Sequence, residues 1–141
     1  MNLHRSSHAS ELIRVAGEMS IAARLLSKDE GCAYIASVFG KFHPWKTEGH
    51  VSIGDDVKKI RTEDCEFSFS RSMRGDVAFI FFEQNQVNRC DVVRVGDARD
   101  ISLLIDNSHG MEYFISDAGL TYLIAVNWYV IEYVGDVGLS E

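Results

Sequence analysis

The sequence predicts an α+β fold, a mainly antiparallel sheet of about six strands packed against two N-terminal helices and one short internal helix. Three observations carry this. Apolar residues recur at spacings of three and four between Leu12 and Phe39, and from residue 50 onward they alternate or run together, a change from the helical to the strand period. The gaps between the later apolar segments are mostly too short for the crossovers that parallel strands require. With 46% hydrophobic and 25% charged residues and one proline, the 141-residue chain is long enough for one core without metal or disulfide staples, so residues 1–141 are read as a single domain.

Leu12, Val15, Ala16, Met19, Ala22, Ala23 and Leu26 form one apolar stripe and predict a first helix starting near Ser10. Ser27 with Glu30 three residues later is a capping-box pattern, in which each side chain accepts the other residue's free N–H. A second helix therefore starts there, faces Ile35, Val38 and Phe39 inward, and stops at Gly40, with Pro44 beyond. The segment "GDDVKKIRTED" reads as a solvated loop or short helix, because Lys58, Lys59 and Arg61 separate its acids. "CEFSFS", residues 65–70, alternates as a half-buried strand would, and "RSMRGD" is a hairpin loop leading to "DVAFIFFE", apolar on both faces like a central strand.

"CDVVRV" supplies a third strand, and "GDARDISLLIDNSHG" a short helix with Asp97 as N-cap, Asp100 in the first turn and Gly110 as the stop. "MEYFIS", "LTYLIAV" and "YVIEYV" are three further strands, with Asp117, Ala118 and Gly119 in the first turn. The apolar run from Leu120 to Val134 includes Thr121, Asn127 and Glu132 and is shorter than the roughly 20 apolar residues that cross a bilayer. It is read as two strands joined near Asn127, with Tyr122, Ile124 and Val126 on one face and Leu123 and Ala125 on the other.

Composition also bounds function. The net charge is −7; residues 1–75 hold eleven Lys or Arg against ten acids, and residues 76–141 hold three against eleven. A half so poor in cations disfavours direct nucleic-acid binding, which rests on neutralising phosphates, and attracts a basic protein partner. The polar N-terminus lacks the apolar region of a secretory signal. Cys32, Cys65 and Cys90, odd in number and widely spaced, are expected to be reduced packing residues in a cytoplasmic protein. His4, His8, His43, His50 and His109 lack metal-ligand spacing, and no glycine-rich phosphate loop is present, so no metal, cofactor or catalytic residue is expected. The candidate site is instead a protein-docking surface: Asp97, Asp100, Asp106, Glu112 and Asp117 around the third helix, with Trp128 and Tyr129 as aromatic anchors.

The stretches "SLLIDNSHGMEYFISD" and "LTYLIAVNWYVIEYVG", within Ile101–Gly135, form a helix leading into a Glu-aromatic-aromatic strand, then a strand, an Asn-centred corner and a last strand ending in Gly135. This quarter of the chain resembles small bacterial α+β immunity proteins of polymorphic and contact-dependent toxin systems. The resemblance implies a cytoplasmic, non-enzymatic inhibitor that neutralises a cognate toxin domain, with no membrane or nucleic-acid partner. Where those proteins commonly place histidines after the Asn, this chain has Trp128 and Tyr129. The rival expectations are a small enzyme or ligand-binding domain around His43, Trp45 and Asn127, and an adaptor subunit that pairs through an exposed strand.

Overall fold

The computed structural model describes residues 7–137; His4 lies outside them. Its centre is one seven-stranded sheet in the order β1-β4-β3-β5-β6-β7-β2, with every neighbouring pair antiparallel. The strands are β1 (Ala23–Leu25), β2 (Lys58–Arg61), β3 (Ala78–Phe82), β4 (Val92–Val95), β5 (Tyr113–Asp117), β6 (Tyr122–Val126) and β7 (Val130–Gly135). The helices are α1 (His8–Met19), α2 (Lys28–Phe42), α3 (Thr62–Cys65) and α4 (Ile101–Asp106), and short 3-10 turns cover Phe69–Ser72 and Ala98–Asp100.

Strand alternation divides the apolar side chains between two cores. On one face Ile80, Tyr113, Ile115, Ile124, Val126 and Ile131 meet Leu12 and Val15 of α1 and Ile101 and Leu104 of α4. On the other, Phe81, Phe114, Leu123 and Ala125 meet Ile35 and Val38 of α2 together with Val51 and Ile53 of the following loop. Covered on both faces, β5 and β6 are buried almost throughout, which is why the run Leu120–Val134 is apolar on both faces. Among the described residues no helix is long and apolar enough to cross a membrane.

Several expectations need correction. The first helix does not reach Leu26: Ser20 adopts a left-handed conformation (φ 57°) and its N–H closes on Ala16 O, releasing residues 23–25 to pair with β4. The second begins on the expected capping box but passes Gly40 and ends at His43, itself left-handed. Residues 65–70 are no strand. Cys65 and Phe69 both pack into the first core while Phe67, which a strand would put on their face, is half exposed, a pattern that a tight helical path satisfies and a strand does not. The sheet instead gains two edges, β1 and β2, the latter inside the segment expected to be a loop or helix.

The cysteines are not all reduced. Cys32 of α2 is bonded to Cys90 just before β4 (Cα–Cα 4.6 Å), and Cys65 alone is free. α2 lies so close to this loop that a Cβ on Gly31 would sit 2.0 Å from the Cys90 carbonyl oxygen.

Candidate protein-docking face

Two of the expected anchors sit together at the β6–β7 corner. Trp128 is 52% and Tyr129 69% exposed, whereas Asn127 between β6 and them is buried. The backbone at this corner is fixed from inside. Asn127 Oδ1 accepts the N–H groups of Tyr129 (2.8 Å) and Val130 (2.9 Å). Its carbonyl accepts Thr62 Oγ1 (2.8 Å), and the Tyr129 carbonyl accepts the Thr62 N–H (3.1 Å). An Asn side chain can in this way replace the backbone acceptor of a turn. The two rings therefore project from a preorganised support. Trp128 lies over Gly110, where an added Cβ would come within 3.1 Å of the indole, and Tyr129 stacks on His50 with ring centroids 5.5 Å apart.

His50 belongs to a small hairpin laid across the second face of the sheet, in which Lys46 and Ser52 exchange backbone hydrogen bonds and Trp45 N–H reaches Ile53 O. Three carboxylates hold its returning arm. Glu83 accepts Gly49 N–H (2.6 Å), Glu112 accepts Val51 N–H (2.8 Å), and Glu132 accepts Ile53 N–H (2.7 Å), the Ser52 hydroxyl and Gly54 N–H. Asn127 adds a donor, its Nδ2 to Val51 O at 3.0 Å.

Geometry explains the spacing. Amides 51 and 53 point to one side because alternate residues of an extended chain do, while Gly49 and His50, both left-handed (φ 65° and 55°), turn the chain where the Gly49 amide meets Glu83. From Glu83 to Glu132, across β5 and β6, is about 14 Å of sheet. The arm thus crosses the strands with one acidic clamp near each end and one in the middle. The sequence held a signal for two clamps: Glu132 shares a strand face with Val130 and Val134, and Glu112 precedes a strand buried over its first four residues. A carboxylate at a position that the pattern assigns to the core needs an internal donor.

The expected acidic set is dispersed. Strand register puts Asp117 opposite Ala78 and Val95 close to the same end, while Tyr113 pairs with Phe82 at the other. Asp97 and Asp117 therefore lie at the end of the sheet away from Glu112, Trp128 and Tyr129. Asp97 caps the 3-10 turn and pairs with Arg99 (2.7 Å), which with its hydrogen bonds holds its carboxyl below the ordinary aspartate value. Asp117 accepts Thr121 N–H (2.7 Å) and the Thr121 hydroxyl in the β5–β6 turn. Asp100 is partly buried and Asp106 exposed on the α4 side. Glu112 is buried beneath the hairpin. Only Trp128, Tyr129 and Glu112 meet at one place.

Burial pushes the Glu112 carboxyl above its ordinary value, opposed by the Val51 N–H bond. Its folded state thus holds the proton more tightly than the unfolded state, so this group's contribution to stability declines as pH rises through and beyond the ordinary glutamate range. Glu112→Gln keeps an acceptor for Val51 and removes the titration. It is expected to gain stability relative to wild type between about pH 4 and about pH 7, measured by urea unfolding at both; a constant difference between the two proteins would refute the assignment.

Near the same end, His8 Nδ1 faces His109 Nε2 at 3.0 Å, joining the start of α1 to the loop after α4. Burial and His109 lower the His8 pKa. Among the described residues no group of three or more His, Cys, Asp or Glu is arranged to hold a metal. Compared with known proteins, the chain matches no family model, no curated protein and no solved structure.

Proposed function

We propose that this chain is a stoichiometric inhibitor that docks a cationic protein partner, as an immunity protein docks its cognate toxin domain, with Trp128 and Tyr129 as the anchors. The observation that carries the reading is the corner itself: two large aromatic side chains exposed on a backbone that Asn127 and Thr62 already immobilise. A preorganised aromatic anchor loses little entropy on binding, and Trp and Tyr are frequent hot spots. The acidic excess of residues 76–141 favours encounter with a basic surface. The cytoplasmic expectation rested partly on unpaired thiols; the Cys32–Cys90 bond withdraws that support, and docking does not depend on it.

The rivals are less well supported. In the group His43, Trp45 and Asn127, His43 closes α2 and is exposed like Trp45, while Asn127 is buried and spent on the corner and on Val51. Pairing through a sheet edge is opposed by the three residues of β1 and by Lys58, Lys59 and Arg61 on β2, since short or charged edges deter strand addition.

Co-purification with the product of the adjacent gene, and protection of cells from it, test the function; failure of both removes the inhibitor reading. Trp128→Ala and Tyr129→Ala are each expected to weaken the complex by about 2 kcal/mol, roughly 30-fold, with the unfolding midpoint unchanged. Undiminished affinity in the double variant would exclude the corner as the anchor.

A further inference from the structure

At the base of the same hairpin, between the last turn of α2 and residues 53–57, an open groove of about 460 Å³ is lined by two aromatic rings, three aliphatic side chains and two acids. Ile53, Val57 and Val134 supply the aliphatic surface, and Phe42 and Trp45 the rings. Trp45 packs beside Gly54, the Cβ position of which would lie 3.6 Å from the indole, yet remains 64% exposed. Asp55 and Asp56, both exposed, stand on the groove. Lys41, the cation on the wall, is directed to the Leu120 carbonyl (2.6 Å) and lies 5.5 Å from the Phe42 ring.

We propose that this groove binds an arginine side chain presented by a partner polypeptide. A guanidinium stacks flat on an indole face and is drawn to its negative quadrupole. Its methylene stem can cover aliphatic surface such as that of Ile53, Val57 and Val134 while the head stays in reach of water and of the Asp55 and Asp56 carboxylates. The volume falls within the range of small-ligand clefts, about 300 to 1,000 Å³. Lysine fits less well, since it cannot stack and offers no planar fork to two neighbouring acids. The same hairpin links the groove to the docking face: the Trp45 N–H bonds to Ile53 O, and the Val51 carbonyl accepts from Asn127 Nδ2 beneath the corner. The inference rests on the docking reading only in taking the partner to be cationic.

The test uses the full chain labelled with ¹⁵N and follows the two indole N–H signals, Trp45 and Trp128, during titration with a short tri-arginine peptide and with the same peptide carrying citrulline, the neutral analogue. The Trp45 signal is expected to shift saturably with arginine and at least about 10-fold more weakly with citrulline. Asp55→Asn with Asp56→Asn, exposed positions that should not disturb folding, is expected to weaken the arginine effect by a similar factor. A stationary Trp45 signal, equal responses to both peptides, or an unaltered response in the double variant would each overturn the proposal. No partner enters this experiment, so the groove can fail while the Trp128–Tyr129 docking reading stands, and the reverse.

Discussion

Glu132→Met is expected to lower the unfolding free energy by about 3 kcal/mol, the largest effect of any single change at the docking face. The substitution conserves volume but leaves Ile53 N–H, Gly54 N–H and the Ser52 hydroxyl without the acceptor they share. Ile53 and Gly54 are buried, so water cannot take over, and each orphaned donor costs about 1 to 3 kcal/mol. Relief from burying a carboxylate offsets part of this. Glu132→Gln keeps one acceptor and should cost about half as much. Urea unfolding gives the comparison, and a methionine variant within about 1 kcal/mol of wild type would show that the hairpin is held by packing alone. Because the Trp45 N–H bonds to Ile53 O across the hairpin, the methionine variant should also lose the arginine response of the Trp45 indole while keeping Trp128 exposed.

Reduction of Cys32–Cys90 is expected to destabilise the protein by about 4 kcal/mol on the chain-entropy account of a loop of this length. The bond joins residues 58 apart and ties α2, which covers the second core, to the entry of β4. The junction has other supports: Lys28 Nζ reaches Asp91 (2.7 Å) and the Arg89 carbonyl (2.8 Å), and Leu26 N–H bonds to Val92 O. The reduced protein should therefore keep its sheet by circular dichroism while its urea midpoint falls. Dithiothreitol should have no such effect on the Cys32→Ser, Cys90→Ser double variant. A wild-type midpoint indifferent to reductant would show that the thiols are not bonded in solution.

Elements whose signals lie within a few adjacent residues were legible. The capping box of Ser27 and Glu30 forms both of its hydrogen bonds, because an N-cap is a local arrangement. The alternation in β6 sorted side chains between two faces as read, with Tyr122, Ile124 and Val126 in one core and Leu123 and Ala125 in the other, and β7 continues it with Ile131 and Tyr133 in the first and Val134 against the second. Where reading failed, a distant partner had taken over. "CEFSFS" alternates, but Thr62 just before it is captured by Asn127 and Tyr129, which turns the chain into α3 and away from the sheet. β1 was hidden in an apparent helical stripe because the edge of β4 offered Ala23 and its neighbours a ladder. The acidic set around the third helix is contiguous in sequence and dispersed in space, since β5 carries Glu112 and Asp117 to opposite ends of the sheet.

The corner shows the division most clearly. By itself the sequence determined that Asn127, Trp128 and Tyr129 interrupt two core strands, since period and polarity are properties of neighbouring residues. Only the tertiary structure decided which of the three is packed and which presented. Asn127 turns inward because the Val51 carbonyl, from a segment more than seventy residues away, accepts from its Nδ2 while its Oδ1 accepts the Tyr129 and Val130 N–H groups, which lets a polar side chain be buried. Trp128 and Tyr129 face outward because the same hydrogen bonds fix the backbone that carries them. Glu112 and Glu132 follow the same rule: their positions in apolar strands were readable, and their role as clamps existed only once the hairpin supplied amides at the matching spacing.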